Sequence, residues 1–390
     1  MNAQPVSGAA RRFYAPGGPL AADVIDLGMG NPDPDTLPVE ALDIRQLRSA
    51  QLRAAVSYGP RAGNANLVDA LRATVIHDIA WPPATLITNG ALDALVKALR
   101  VLATPGAVLL AEEYTFPGLL AATNDLGVAI VAVRTGPRGI DLEHLQERIA
   151  EQRTLGRPIL GLYLMSTSSN PTGSCLDRES REAIALVLQR HQLILIEDDA
   201  YKDVILADVY SEPIANLAPE HTVHIRSLSK VLGFPGARLA VVTGPEPIVS
   251  AMTELTIVGG VAPFASELLG AFLARADYGA HLARLRDIYR ERRDLAVACL
   301  RKHQSLSFNI PTAGFFIWIA VSARSTGNHV QQAALERGVN VLPGSAFAVA
   351  EKDPPYIRLA YSCANRDELP RAIEILAAAE QQCRNAPAQG

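Results

Sequence analysis

The sequence predicts an α/β protein in which a large domain, built on a mostly parallel sheet between helices, precedes a smaller α+β domain. Three observations carry this. The chain has 390 residues, and single cores stop growing near about 250–300 residues, so two domains are expected. Between residues 66 and 242, helical patterns alternate with short runs nearly continuous in Val, Ile and Leu. Such runs suit strands buried on both faces of a parallel sheet. Beyond Pro245 the rhythm changes to long helices and a few isolated strands, as in an α+β domain.

Taken in order, 67–79 and 91–102 read as helices, and 107–111, 128–133, 159–164, 193–196, 222–225 and 238–242 read as strands. In the second part, 263–275 and 281–303 read as helices. The longer one carries Leu282, Leu285, Tyr289, Ala296 and Cys299 on one face, with its arginines expected on a solvated face opposite. Strands are expected at 315–320, 340–342 and 356–360, with helices at 329–336 and 367–379. No internal repeat or low-complexity segment interrupts the pattern.

The composition argues against several function classes. The formal net charge is −4 with no block of like charges, so neither nucleic acid nor a membrane surface is the expected partner. No apolar run approaches the roughly 20 residues that cross a bilayer. The first 20 residues are rich in Gly and Pro and lack a secretory apolar core; they read as a loose arm, and the residues after Cys383 as a fraying tail. Cys175, Cys299, Cys363 and Cys383 are scattered without metal-ligand spacing. Reduced thiols in a cytoplasm are therefore expected.

Ligands of parallel sheets bind beyond the carboxyl ends of the strands, so the chemistry is sought there. Ser227-Leu228-Ser229-Lys230 directly follows the strand at 222–225. A lysine so placed suits a Schiff base with an aldehyde cofactor, and later a role as acid and base at a substrate carbon; alone, it reads as a surface lysine. Glu197-Asp198-Asp199 follow another strand, and three acids together call for a cation such as a protonated pyridine nitrogen. Helix-terminal charge is the structural alternative, and a metal is disfavoured because no His or Cys lies nearby at ligand spacing. Thr88-Asn89-Gly90-Ala91 opens a helix, offering backbone N–H groups to a phosphate, with Ser227 and Arg238 available for the same anion. Asn170 in Ser169-Asn170-Pro171-Thr172-Gly173 suits a phenolic ring oxygen, although the segment also reads as a plain turn.

The order Tyr58-Gly59, Gly63, Thr88-Asn89-Gly90-Ala91, Asn170-Pro171-Thr172-Gly173, Asp198 with Tyr201, Ser227 with Ser229-Lys230, Arg238 and Arg358 resembles the class I/II aminotransferases of fold type I. The resemblance runs from Ile25 to the end of the chain. Two stretches, 58–63 and 281–293, are most similar to the aminoadipate/kynurenine aminotransferase branch, which also includes the aminotransferase-like half of certain bacterial transcription regulators. The resemblance implies an aspartate-aminotransferase-like fold, pyridoxal 5'-phosphate as cofactor, and transfer of an amino group between an L-amino acid and a 2-oxo acid.

Residue by residue, it implies that Lys230 carries the cofactor as a Schiff base, Asp198 pairs the ring nitrogen, and Asn170 and Tyr201 contact the ring oxygen. Lys230, Asp198 and Tyr201 form the implied catalytic group. Ala91, Ser227 and Arg238 hold the phosphate, Gly90, Leu92 and Ser229 are further cofactor contacts, and Phe116 stacks on the ring, with plain core packing as its alternative. Arg358 grips the substrate carboxylate, helped by Asn170 and by Gly30, where the N-terminal segment closes over the substrate. Tyr58 corresponds to a tyrosine reaching the phosphate of a neighbouring subunit, which implies a homodimer with shared sites. The implied division is an arm at 1–24, a closing segment at 25–52, a large cofactor domain at 53–262 and a small domain at 263–390.

The chain departs from the branch at Met165-Ser166-Thr167-Ser168-Ser169, where a proline and then glutamine or histidine are usual. Tyr114 replaces a proline and Leu92 a glutamine. These departures leave the cofactor set intact and the substrate open. Elimination or replacement, ring formation and oxidation of an amino acid use the same parts, because side-pocket geometry selects the bond that breaks. A non-catalytic effector-sensing domain is the third reading, disfavoured because too few residues precede the resemblance for a helix-turn-helix module.

Overall fold

The computed structural model describes residues 20–385 apart from 22, 40, 41, 81, 82, 137, 257, 258, 276, 277 and 323. The predicted N-terminal arm therefore lies mostly outside the described residues. Seven strands form the main sheet: β1 (Ala84–Thr88), β2 (Val108–Glu112), β3 (Ala129–Val133), β4 (Ile159–Leu164), β5 (Leu195–Asp198), β6 (Thr222–Ser227) and β7 (Ala240–Gly244). Their order across the sheet is β1-β7-β6-β5-β4-β2-β3. Only β7 runs antiparallel, to both β1 and β6.

This one reversal positions the site. Thr88 at the end of β1 and Ser227 at the end of β6 both pair with Ala240 at the start of β7. The turn after β1, the lysine loop after β6 and the residues leading into β7 therefore meet at one edge. In the next pair, Asp198 lies in register with Ile225, which sets the acid beside the lysine loop.

Helix Ala91–Leu102 follows β1 and buries Ala94, Leu95, Ala98 and Leu99 along one stripe. Its N-cap is Gly90, which offers no side-chain cap. A glycine N-cap costs only about a few tenths of a kcal/mol relative to a capping side chain, whereas burying one leucine contributes about 1.5–3 kcal/mol. Packing thus holds the helix and leaves its first N–H groups available.

The second sheet consists of β8 (Ser307–Phe308), β9 (Phe316–Ala320), β10 (Leu342–Pro343) and β11 (Tyr356–Ala360), ordered β8-β9-β11-β10 and wholly antiparallel. Helices Tyr278–Leu300, Gly327–Leu335 and Glu368–Asn385 accompany it. The N-terminal segment joins this part of the molecule, because Ile25–Asp26 pairs with Val339–Asn340.

Several expectations shift. The apolar pattern does not predict the strand at 84–88, since Ala84-Thr85-Leu86-Ile87-Thr88 lacks a long apolar run. The helix expected at 67–79 stops at Thr74, because the Val75 carbonyl accepts from Arg226 at 2.6 Å. The strand expected at 340–342 splits in two, serving the Ile25 pairing on one side and β11 on the other. The tail keeps its helix to Asn385, beyond the point where fraying was expected.

The arginines of the long helix are the clearest correction. They are not a merely solvated face: Arg284 donates to Thr36 O, Arg286 to Asp203 O, and Arg290 and Arg293 to Leu206 O. Each guanidinium satisfies a carbonyl of a neighbouring segment, tying the long helix to the loop after β5 and to the N-terminal segment.

Candidate active site

Strand alternation sorts the three acids at the end of β5. Glu197 accepts from the N–H groups of Ile214 and Ala215 at 3.0 Å and from Ser166 Oγ at 2.6 Å. Asp199 faces His224 at 3.3 Å and Arg226 at 3.8 Å. Only Asp198 is left without a cation within ion-pair distance among the described residues. The expectation that one external cation serves all three acids is therefore corrected: two have partners inside the protein.

Asp198 is buried and accepts from the Tyr163 hydroxyl at 2.9 Å through Oδ2. Its Oδ1 has no partner among the described residues. Burial raises its pKa to about 6, against the lowering effect of the Tyr163 hydrogen bond, and the charge of Asp199 adds to the rise. A buried carboxylate with an unfilled oxygen fits a protonated ring nitrogen.

Lys230 sits in the short helical turn Leu228–Val231, whose N-cap Ser227 accepts from Ser229 N at 3.3 Å. Its Nζ donates to Gly30 O at 2.5 Å. Burial lowers its pKa to about 8, reinforced by the positive charges of Arg358 and Arg238. An amine of reduced basicity is the form that attacks an aldehyde.

The anion cradle lies at the edge where β1, β6 and β7 meet. Gly90 has φ +84, and a Cβ there would stand 2.5 Å from Arg238 Nη2. The Arg238 guanidinium thus lies directly over a helix N-terminus, with Ala91 and Leu92 half-buried in the first turn. Arg238 donates to Pro235 O at 3.3 Å and has no carboxylate within ion-pair distance among the described residues. A helix N-terminus, an unpaired guanidinium and the buried Ser227 hydroxyl fit a phosphate.

Arg358, in β11, is buried between Phe316 and Phe347, with its guanidinium carbon 4.0 and 4.7 Å from their ring centres. It donates to Asn170 Oδ1 at 2.7 Å and to Gly28 O, and its Nε has no partner. Burial lowers its pKa to about 10, and no carboxylate lies within ion-pair distance among the described residues. Such a cation fits a substrate carboxylate. Tyr201 packs edge-on against Phe316 at 5.5 Å, and its hydroxyl senses both Arg358 and Asp198. Burial raises its pKa above the ordinary phenolic value.

The structure thus brings Gly30, Asn170, Tyr201, Lys230 and Arg358 together, with Asp198 in electrostatic reach of Tyr201. Gly90, Ser227 and Arg238 form the neighbouring cradle, and Ser229 is buried in the same turn as Lys230. Phe116 caps the helix Pro117–Leu126 and is half-buried; a Cβ on Gly118 would meet its ring. Tyr58 stands apart, 91% exposed. Sequence reasoning missed Tyr163, Glu112, Phe316 and Phe347. For Tyr163 and Glu112 a signal existed, since both are polar groups near the carboxyl ends of apolar strands.

The model for "Aminotransferase class I and II" matches residues 22–376. The chain belongs to the class I and II aminotransferases. It is 27% identical to "Aminotransferase tdiD" of Emericella nidulans over 92% of this chain and 90% of that protein. It is 25% identical to the mitochondrial "Kynurenine/alpha-aminoadipate aminotransferase" of Bos taurus over 91% of each. The solved kynurenine aminotransferase of Pyrococcus horikoshii superposes with a TM-score of 0.89 over 94% of this chain and 93% of that one, at 23% identity, which shows the shared fold. As a member of this family, the protein is a pyridoxal-phosphate-dependent transferase that moves amino groups between amino acids and oxo acids.

Proposed function

We propose that Lys230 holds the cofactor of this aminotransferase and moves the substrate proton, with Asp198 at the ring nitrogen and Asn170 and Tyr201 at the ring oxygen. Gly90, Ala91, Leu92, Ser227, Ser229 and Arg238 would hold the phosphate, and Phe116 would cover the ring. Arg358, with Asn170 and Gly30, would hold the substrate carboxylate. The observation that carries this reading is a buried acid lacking a cation and a buried cation lacking an acid, both sensed by Tyr201.

When bound, pyridoxal phosphate supplies an aldehyde and an electron-withdrawing ring that stabilises negative charge on the substrate's α-carbon. The ionised Asp198 would pair with the ring nitrogen and favour its protonated form. Arg358 fixes the carboxylate by a planar fork, which orients the α-hydrogen. Lys230 would take the α-proton as a base and, once protonated, would be the acid that gives a proton back within the same site. Burial favours the neutral lysine that this task needs.

The homodimer remains part of this proposal. It is supported by exposed apolar side chains on and after helix Ser49–Ala55, with Val56 84% and Tyr58 91% exposed. Tyr58 would complete the phosphate site of a second subunit. The division at 25–52, 53–262 and 263–390 is proposed as well, supported by the Ile25–Asp26 pairing with Val339–Asn340. A cytoplasmic setting is supported by four unpaired cysteines.

The test records the visible spectrum of the loaded protein while L-amino acids are added singly, without an oxo acid. Conversion of the cofactor to its amine form, with one equivalent of oxo acid released, supports the reading. Continuous turnover without an acceptor would overturn it in favour of elimination or oxidation.

A further inference from the structure

The serine run before Asn170 is wholly internal. Ser166, Thr167, Ser168 and Ser169 are each at most 1% exposed. Ser166 and Thr167 are held by Arg181, Ser166 also donates to Glu197, and Ser168 donates to Ala313 O at 3.0 Å. These bonds fasten the run to the scaffold. Ser169 is different, because its backbone closes the turn that carries Asn170 while its hydroxyl anchors that turn to strand β2. Its N–H donates to Ser174 O at 2.8 Å, its carbonyl accepts from Gly173 N at 2.7 Å, and its Oγ donates to Glu112 Oε2 at 2.9 Å.

Glu112 ends β2 and is buried. No cation lies within ion-pair distance of it among the described residues. Buried acids without a cation are rare unless something is gained from them. The residue after Ser169 is Asn170, whose Oδ1 accepts from Arg358. That orientation turns the amide NH2 of Asn170 into the available donor.

We propose that Glu112 and Ser169 form a positioning pair. Glu112, fixed at its strand end, holds the Ser169 hydroxyl and thereby sets where Asn170 stands between Arg358 and the cofactor ring. This rests on the reading of Asn170 as the contact to the ring oxygen. Burial raises the pKa of Glu112 to about 7, opposed by the Ser169 hydrogen bond and reinforced by the adjacent charge of Glu113. The Tyr163 hydroxyl also senses Glu112. With either charge state the acid keeps an oxygen to accept from Ser169, and the ionised form holds it more strongly.

The experiment is a visible absorbance titration of the cofactor-loaded protein against pH, comparing Ser169→Ala, Glu112→Ala, Glu112→Gln and Asn170→Ala. Removing a donor from the ring oxygen makes that oxygen more basic, so the titration midpoint rises. Ser169→Ala and Glu112→Ala are expected to raise it by about 0.5–1 unit, the shift expected from one ordinary hydrogen bond. Glu112→Gln keeps an acceptor for Ser169 and is expected to restore the original midpoint. Adding Ser169→Ala to Asn170→Ala is expected to give no further shift, because both act through one contact. The pairing is overturned if Asn170→Ala moves the midpoint while Ser169→Ala and Glu112→Ala do not, or if the shifts simply add. An unmoved midpoint in Asn170→Ala would instead refute the ring contact itself, and the pairing with it. Should Ser169→Ala fail to fold, the two Glu112 variants decide the matter alone.

Discussion

The Tyr163 hydroxyl donates to one carboxylate oxygen of Asp198 at 2.9 Å and leaves the other without a partner among the described residues. The hydrogen bond keeps the acid nearer its ionised form, while burial pushes its pKa to about 6. The ionised fraction is lost as pH falls through that value. Cofactor affinity of the cofactor-free protein should therefore weaken below about pH 6, and in Tyr163→Phe the weakening should begin about 0.5–1 unit higher. Fluorescence titration with pyridoxal phosphate across pH checks this.

Removing the acid altogether tests its electrostatic role. Asp198→Ala should lower kcat by about a hundredfold or more, the scale of losing one preorganised charge contact to a reacting centre. Steady-state kinetics at saturating cofactor separate this loss from weaker binding.

Lys230 has its pKa lowered to about 8 by burial and by the charges of Arg358 and Arg238. The neutral amine is present above that value and lost as pH falls below it. Cofactor capture by the cofactor-free protein should accelerate as pH rises through about 8 and then level off. Arg358→Met should move this rise to higher pH, since one of the depressing charges is gone. Stopped-flow absorbance reports the rate directly.

Arg358 donates to Asn170 and Gly28 while Phe316 and Phe347 cover its faces. Arg358→Lys keeps the charge and loses the fork. The KM for the amino acid should rise on the order of tenfold to a hundredfold, with cofactor affinity nearly unchanged. Initial rates across amino-acid concentration, beside a cofactor titration, distinguish the two.

Gly90 adopts φ +84 beneath the Arg238 guanidinium. Gly90→Ala places a methyl group in the anion cradle and strains the backbone by about 1 kcal/mol or more. Phosphate-dependent binding should suffer most: affinity for pyridoxal phosphate should fall, while that for phosphate-free pyridoxal stays close to its original value. Equilibrium dialysis of both ligands measures the contrast.

Legibility followed local chemistry. The strand at 159–164 and the helix at 91–102 read correctly to their ends, because Ile159–Leu164 is an unbroken buried run and Gly90 marks a helix start. Strand β1 did not, because its place beside β7 comes from non-local pairing rather than its own composition. In the proposed site, Lys230, Asp198, Asn170 and Arg238 stand out by their turn and strand-end positions, whereas Arg358, in the middle of β11, enters through the family resemblance. Tyr163 and Glu112 stand at or near the carboxyl ends of apolar strands, but side-chain polarity alone does not say what it meets. The arginines of helix Tyr278–Leu300 misled for a related reason: the carbonyl partners of Arg286 and Arg290, Asp203 and Leu206, lie about 80 or more residues away in the chain.

The central claim is that Lys230 carries the cofactor. Its most direct measurement is borohydride reduction of the loaded protein, followed by peptide mapping, in the natural protein and in Lys230→Ala. The account predicts a single reduced adduct on the peptide containing Lys230, absent from the variant. An adduct that persists at the same peptide in Lys230→Ala, or one found at another lysine in the natural protein, would contradict it.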